Sequence, residues 1–171
     1  VFARSGSSLD VPSLSPQVGP AIRIAQADFA AGGRQRVIID VGGDDAGATA
    51  LGRYREDVLA APYVLYYVVN VFRNLTQTVD VALEIMTEIE AASGLQVTAL
   101  VSNAHLKAET EPGTVVRGAQ FAELVAQACG LPLVGITVPE HLFEETQNEL
   151  RKEFDTFSLY PVQTMVRTPW E

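Results

Sequence analysis

Cysteine is almost absent from this sequence, since Cys129 is the only one among 171 residues. A single thiol excludes an internal disulfide, and so nothing in the cysteine content indicates an oxidising compartment. Its neighbours, Ala-Gln-Ala before it and Gly130 after it, predict the end of a helix packed in a core. Because cysteine commonly behaves as a small buried hydrophobe, we expect Cys129 to be buried and inert.

Basic residues are also scarce. The chain has 12 Lys and Arg against 21 Asp and Glu, a formal net charge of −9, with no local basic cluster. Such a chain repels the phosphates of nucleic acids and of anionic lipids, and we expect no direct nucleic-acid partner. The most apolar stretch, residues 58–72, is too short to span a bilayer, and no signal peptide is visible. A cytoplasmic protein without a membrane segment is the simplest interpretation.

What the chain does contain is a regular alternation of apolar patterns. With 47% hydrophobic and 19% charged residues, it has the composition of a globular protein, and we expect one domain over residues 1–171. The apolar spacing predicts helices from Ser15 to Gly32, over 48–59, over 75–93, over 115–129 and after Pro139. Strands are expected at 37–41, 63–70, 97–102 and 133–138, with short β-like segments at 1–3 and after Phe157.

This alternation predicts parallel strands joined by right-handed crossovers, with helices on both faces of the sheet. The expected fold class is therefore α/β, a three-layer sandwich with a mostly parallel sheet. Residues 37–41 and 63–70 are nearly continuous apolar runs, which predicts strands buried on both faces, the second of them central. In the first helix, Val18, Ile22 and Phe29 recur at helical spacing and are expected on one buried face.

Polar residues follow the predicted strands. Because the carboxyl ends of parallel strands share one edge of a sheet, where ligands bind in open α/β folds, we expect them to form a site. An aspartate followed by glycines suits a metal-phosphate site, although solvated turn chemistry is the alternative for each of these positions. The residues are Asp40, Gly42, Gly43, Asp44 and Asp45 after the first strand, Asn70 and Asn103 after the next two, and Pro139 after the fourth.

Together these segments resemble the MinD/ParA/CobQ/CobB group of P-loop nucleotide-binding proteins, the branch with a deviant Walker motif. The resemblance extends from residue 37 to residue 136 and keeps the order of segments in that family. The similar segments are Val-Ile-Ile-Asp-Val-Gly-Gly-Asp at 37–44, Tyr-Tyr-Val-Val-Asn at 66–70, the helix at 75–93, Leu-Val-Ser-Asn at 100–103, and Gly-Leu-Pro-Leu-Val-Gly-Ile at 130–136.

The resemblance implies a P-loop NTPase-like fold with ATP and Mg²⁺ as cofactors. Asp40 is similar to the Walker B aspartate that holds Mg²⁺ through water, and Gly42 and Gly43 resemble glycines near the γ-phosphate. Asp44, together with its neighbour Asp45, would influence the metal or the attacking water. Asn103 resembles an asparagine that contacts adenine, and residues around Pro139 would flank the base. The implied partners are a second copy of the chain, as a homodimer, or a regulatory protein.

One family feature is missing, because the chain has no Gly-x-x-x-x-Gly-Lys-Ser/Thr loop and its first lysine is Lys107. Without such a loop there is no cradle for phosphates, and this chain alone is not expected to hydrolyse ATP. The chain begins at Val1 without an initiator methionine, so we expect it to be the C-terminal portion of a longer nucleotide-binding domain. A complete sheet without a gap beside residues 37–41 would contradict that expectation.

Two other functions stay open. The first is a degenerate α/β interaction domain that has kept the sheet and lost the chemistry. The second, weaker, is a flavodoxin-like or receiver-type domain, which needs a lysine after a late strand; Val-Pro-Glu at 138–140 supplies none.

Other side chains of chemical interest have simple structural interpretations. His105 and His141 lack the spacing of metal ligands, so we expect solvent-facing side chains and no zinc site. Arg73 is a candidate for a phosphate contact or a structural ion pair. A series of carboxylates at helical spacing is expected to form a solvated face, and it consists of Asp80, Glu84 and Glu88.

Overall fold

The computed structural model describes residues 2–4, 18–33, 36–42, 45–73 and 78–163. The architecture is α/β, with parallel strands and helices in alternation, as the apolar pattern predicts. Within the described part of the chain, no helix combines the length and the apolar character needed to cross a bilayer.

The chain divides into two compact units, each of which takes up part of one shared helix. The first unit is Val1–Leu65 with Ile85–Gln96, and the second is Tyr66–Glu84 with Val97–Glu171. The first contains a two-stranded parallel sheet with three helices and the C-terminal part of α4. Its elements are β1 (Phe2–Arg4), α1 (Val18–Ala30), β2 (Ile38–Asp40), α2 (Asp45–Gly52), α3 (Arg55–Leu59) and residues 85–93 of α4 (Val79–Ser93).

The core of the first unit is built by helix positions and loop residues. Val18 and Ile22 of α1 are buried at helical spacing, as predicted. Apolar residues directly before, within and directly after β2 pack against this cluster. Around this core, the Arg55 guanidinium donates to the Gly94 carbonyl oxygen at 2.8 Å, just after α4 ends. Gly94 has a φ of 66°, a left-handed conformation that glycine adopts without strain and that commonly terminates helices.

Three expectations for this unit are wrong in detail. The strand at 37–41 was expected to be buried on both faces, but Ile38 is 60% exposed. Phe29 lies on the helical face predicted to be buried and is also exposed. The single helix expected over 48–59 is interrupted, because α2 ends at Gly52 and α3 begins at Arg55. The predicted start of α1 at Ser15 lies outside the described residues.

The second unit is a four-stranded sheet in which neighbouring strands follow each other in the chain. All of its described pairings are parallel, in the order β3-β4-β5-β6. The segment after Phe157, expected to be β-like, therefore forms a strand at one end of the described sheet. The elements are β3 (Tyr66–Val69), residues 79–84 of α4, β4 (Ala99–Ser102), α5 (Pro112–Cys129), β5 (Leu133–Pro139), α6 (Phe143–Glu153) and β6 (Leu159–Val162), with 3-10 turns at Lys107–Glu109 and Glu140–Leu142.

Helix α5 ends at Cys129 as expected, but it begins at Pro112, three residues before the expected start at 115. Pro112 occupies its first turn, and Glu111 and Thr114 form a capping box that satisfies free backbone N–H groups. Gly130, with a φ of 70°, ends the helix in the left-handed conformation. Cys129, expected to be buried, is only partly so, and its thiol lies 3.5 Å from the Ala126 carbonyl oxygen.

One face of the four-stranded sheet is covered by helices. Ile136 and Val138 of β5 pack in a buried cluster with Val115 and Ala119 of α5 and Leu150 of α6. On this face, the sheet thus receives its hydrophobic core from the two helices that precede and follow β5.

The opposite face carries exposed apolar side chains. Tyr66 and Val68 of β3 are each 53% exposed, and Tyr160 of β6 is 54% exposed. The strand expected to be central is therefore half-exposed and lies at one end of the described sheet order. A nearly continuous apolar run predicts burial on both faces, but here only Tyr67 and Val69 are buried. We refer to the face bearing Tyr66, Val68 and Tyr160 as the open face.

Candidate functional site

The predicted site residues fall in different parts of the chain. Asp40 and Gly42 belong to the first unit. Gly43 and Asp44 lie outside the described residues. In the second unit, the predicted residues Asn70, Asn103 and Pro139 stand at strand ends, so their geometry can be built from the sheet.

Asp40 is the last residue of β2 and is in parallel register with Arg4 of β1. Its side chain is exposed, and among the described residues none forms an ion pair or hydrogen bond with its carboxylate. Two residues later, the backbone of Gly42 lies against α2. A Cβ at Gly47 would come within 2.4 Å of the Gly42 carbonyl oxygen, so the turn into α2 leaves no space for a side chain at Gly47.

Asn70 and Asn103 follow adjacent strands. Val69 and Ser102, the residues before them, are paired in register, and the Asn103 backbone N–H donates to the Val69 carbonyl oxygen at 2.8 Å. Pro139 is the last residue of the next strand, β5. The carboxyl edge of this sheet therefore carries two side-chain amides and a proline on consecutive strands.

The side chain of Asn70 takes part in a turn. Its Oδ1 accepts a hydrogen bond from the Phe72 backbone N–H at 3.0 Å, and the Arg73 N–H donates to the Asn70 carbonyl oxygen at 3.1 Å. This is the local turn chemistry that asparagine favours after a strand, the alternative that the sequence left open.

Asn103 is engaged differently, because its partner lies across the sheet. The Thr137 hydroxyl of β5 donates to Asn103 Oδ1 at 2.5 Å, with the Ser102 carbonyl oxygen as a more distant acceptor at 3.4 Å. Both side chains are half-buried. The orientation of the Asn103 amide is thus determined by a residue 34 positions away.

The loop after Asn103 is held by its own hydrogen bonds. The buried Thr110 hydroxyl accepts from the Leu106 N–H at 2.9 Å and donates to the Lys107 carbonyl oxygen at 2.7 Å. Lys107 has a φ of 56°, an uncommon left-handed conformation for a residue with a side chain. His105 is exposed, and its Nδ1 accepts from the Lys107 N–H at 3.4 Å, so the loop has a defined shape beside Asn103.

A cation lies near the turn at Asn70. The guanidinium of Arg117, on α5, stacks over the ring of Phe72 with 5.2 Å between its Cζ and the ring centroid. A guanidinium over an aromatic face is attracted by the ring quadrupole, which favours this arrangement over free rotation of both side chains.

An open cleft of about 410 Å³ follows β5. Its lining combines two carboxylates, an imidazole, an aromatic ring and a proline, and consists of Glu140, His141, Phe143, Glu144 and Pro161. Glu140 comes directly after Pro139, so the cleft adjoins the carboxyl end of β5. The resemblance implies that residues around this strand end flank the nucleotide base.

The remaining candidates have structural roles or are solvated. Asp80, Glu84 and Glu88 are exposed on α4, which confirms the predicted solvated face. His141 is exposed, as expected. In the part of the chain that the structure describes, no group of three or more His, Cys, Asp or Glu side chains is arranged to hold a metal ion.

Sequence reasoning missed Thr137 and Arg117. The signal for Thr137 was its position two residues before Pro139, since alternation places it on the same side of β5 as that proline. No comparable signal existed for Arg117, because its contact with Phe72 depends on how α5 packs.

Comparison of the chain with protein-family models, with curated proteins and with solved structures finds no match.

Proposed function

We propose that this chain is the C-terminal part of a cytoplasmic, P-loop NTPase-like regulatory switch that binds ATP with Mg²⁺ and hydrolyses it slowly in its intact form. The observation that carries the proposal is the position of Asn70, Asn103 and Pro139 at the carboxyl ends of consecutive parallel strands. In open α/β sheets, ligands bind outside the carboxyl ends of the strands. The proposed three-layer fold extends the α/β architecture described above.

Asp40 is the residue proposed to hold Mg²⁺, through a bound water. Mg²⁺ in nucleotide sites keeps several waters and takes one or two carboxylates together with substrate phosphates. A single exposed carboxylate with no described ion-pair partner fits that requirement. When bound, the metal would neutralise charge on the phosphates. Gly42 and Gly43 would approach the γ-phosphate, and Asp44 would orient the attacking water.

The base is assigned to the edge of the second unit. Asn103 would contact it through its amide, and Pro139 with the adjoining cleft would flank it. The Phe143 ring in the lining offers an apolar surface for a purine. Asn70, whose Oδ1 is engaged in a turn, would contribute by holding the shape of that edge.

The phosphate-binding loop is proposed to lie outside these 171 residues, because the chain contains no Gly-x-x-x-x-Gly-Lys-Ser/Thr. ATP binding would then require the longer protein, which would act on a second copy of itself or on a regulatory partner.

The open face favours a second candidate, an α/β interaction domain without catalysis. Tyr66, Val68 and Tyr160 expose apolar surface on one face of one sheet, and contiguous apolar surface commonly marks a protein-binding site.

Calorimetric titration with ATP and with GTP, each with and without Mg²⁺, tests the proposal. The 171-residue chain is compared with the same chain extended upstream to its natural start. Each form is also made with Asp40→Ala and, as a matched control, with Asp80→Ala, which removes another exposed carboxylate, on α4.

We expect Mg²⁺-dependent ATP binding by the extended form alone, weakened at least tenfold by Asp40→Ala and unchanged by Asp80→Ala. The absence of nucleotide binding by both forms would overturn the nucleotide switch and leave the interaction domain. Equal weakening by the two alanine variants would remove Asp40 from the metal site.

A further inference from the structure

We propose that Thr137 is a positioning residue that fixes the Asn103 amide so that the site selects adenine over purines with an oxygen at position 6. The inference rests on the proposed nucleotide-binding function and names the chemical feature of the base that this site would recognise.

A hydrogen bond joins the side chains of Thr137 and Asn103. Thr137 lies in the middle of the pairing between β5 and β6, opposite Tyr160, so its backbone is held by the sheet. Its hydroxyl has one proton, and Asn103 Oδ1 at 2.5 Å is a much nearer acceptor than the Ser102 carbonyl oxygen at 3.4 Å. The amide oxygen of Asn103 therefore faces Thr137.

The Asn103 amide keeps further capacity for hydrogen bonds. Its Nδ2 donates to no residue in the described ranges, so both of its N–H groups are available to a ligand. The oxygen that accepts from Thr137 keeps a second lone pair, because an amide oxygen can accept two hydrogen bonds. The side chain thus offers a donor beside an acceptor, in one fixed order.

The polar atoms of the Asn103 amide are complementary to those of adenine. Adenine carries an acceptor at N7 beside a donor at N6, which an asparagine amide can contact with both of its polar atoms. Guanine and hypoxanthine carry acceptors at both N7 and O6, so the Asn103 oxygen would face another acceptor. An amide free to turn has two nearly equivalent orientations about its last torsion. The Thr137 hydrogen bond removes that freedom and with it the tolerance for other bases.

The experiment compares the binding of Mg-ATP with that of Mg-ITP, because inosine replaces the 6-amino group of adenosine by an oxygen, with a proton on N1, and leaves N7 unchanged. Affinities are measured calorimetrically in the chain extended upstream to its natural start. The variants are Thr137→Val, which keeps the shape and removes the hydroxyl, and Thr137→Ser, which restores it. Thr156→Val makes the same change at an exposed threonine of the same unit. Thr137→Ala repeats the loss of the hydroxyl should the valine variant fail to fold.

We expect the wild-type chain to prefer ATP over ITP by about tenfold or more, the size of preference that a two-point contact to a base confers. Thr137→Val and Thr137→Ala should reduce that preference to less than about threefold, whereas Thr137→Ser and Thr156→Val should keep it. The affinity for inorganic triphosphate should be the same in all variants, since Thr137 acts on the base alone.

The possible failures are distinguishable. If the wild type binds neither ATP nor ITP, both the proposed function and this inference are overturned. Equal binding of ATP and ITP by wild type would overturn the inference alone and leave a nucleotide site. A preference for ATP that persists without the Thr137 hydroxyl would show that Asn103 needs no positioning residue.

Discussion

Gly118 of α5 lies against Ala104, so closely that a Cβ built on Gly118 would be 1.9 Å from the Ala104 Cβ. The helix and the loop after β4 approach each other through these two residues. Since Ala104 directly follows Asn103, this contact determines how near α5 comes to the carboxyl edge of the sheet.

Substituting Gly118→Ala should destabilise the chain, because the added methyl has no space and α5 or the loop must move. Overpacking of this kind typically costs about 1–3 kcal/mol. Urea denaturation of the variant and of the wild type measures the difference in their free energies of unfolding. The matched control is Gly113→Ala in the same helix, where an added Cβ would meet no described atom within 4 Å beyond its chain neighbours and the backbone of its own helix. That variant should be neutral or stabilised by up to about 1 kcal/mol, because alanine loses less backbone entropy on folding. Equal effects of the two substitutions would contradict the close packing.

Thr146→Val should stabilise the chain. The Thr146 hydroxyl is completely buried on α6 and has no hydrogen-bond partner among the described residues. Burying an unpaired hydroxyl is unfavourable by about 1–3 kcal/mol, and valine has nearly the same shape without the polar group. We expect a gain of about 1 kcal/mol in the free energy of unfolding. A loss of stability would mean that the hydroxyl has a partner.

Thr110→Val makes the same chemical change with the opposite expected result. Thr110 is buried, and its hydroxyl bonds both the Leu106 N–H and the Lys107 carbonyl oxygen. Removing it leaves the Leu106 N–H without this acceptor, so the variant should lose about 1–3 kcal/mol. Amide hydrogen exchange at Leu106 checks the mechanism, because that proton should exchange faster in the variant. Unchanged exchange would show that the loop is held by other contacts.

The stability of the chain should depend on Tyr67 at alkaline pH. Burial raises the pKa of Tyr67 from 10.0 to about 12, and its hydroxyl donates to the Ala82 carbonyl oxygen at 3.1 Å. The unfolded chain releases this proton near pH 10, whereas the folded chain retains it until about pH 12. The stability contributed by the buried, protonated Tyr67 side chain is therefore complete below pH 10. As the pH rises from 10 to about 12, the free energy of unfolding falls by about 1.4 kcal/mol per pH unit.

Tyr67→Phe removes both the hydrogen bond and the ionisable group. Near pH 7 we expect the variant to be less stable than the wild type by about 1 kcal/mol. Above pH 10 the difference should shrink and then reverse, because only the wild type loses stability through this residue. Denaturation curves of both proteins at a series of pH values measure this difference in the free energy of unfolding. A difference that stays constant up to about pH 11 would contradict the burial of the Tyr67 hydroxyl.

The sequence predicts those parts of the fold that depend on local signals. The end of α5 at Cys129 follows from Gly130, which adopts the left-handed conformation that glycine permits. The exposed carboxylates of α4, such as Glu84, follow from helical spacing in the same way. These features involve residues near each other in the chain, so periodicity and end signals suffice.

Features that depend on the presence or absence of a neighbour could not be predicted from sequence. The apolar run around Tyr66 and Val68 is compatible with burial on two faces, and no local signal indicates that one face is exposed. Gly52, where α2 ends, is another example, since a Cβ there would meet the Ala92 carbonyl oxygen at 2.8 Å. That close approach to α4 involves residues far apart in sequence.

The candidate site shows the same division. Alternation predicts that Asn103 follows a strand, but the hydrogen bond to Thr137 depends on the register between β4 and β5. That register shifts between Leu100 and Val101, an irregularity that no apolar pattern indicates.

The strand pairings also have a kinetic consequence. Every pairing between described strands is parallel, and parallel neighbours cannot be joined by a hairpin. Each contact in the second sheet therefore forms only after the chain has closed a loop that contains a whole helix, with the entropy cost that such closure carries. Residues in contact within this sheet are consequently far apart in sequence. In small domains, a large mean sequence separation between contacting residues correlates with slow folding. Refolding should be limited by assembly of this sheet, after its helices have begun to form.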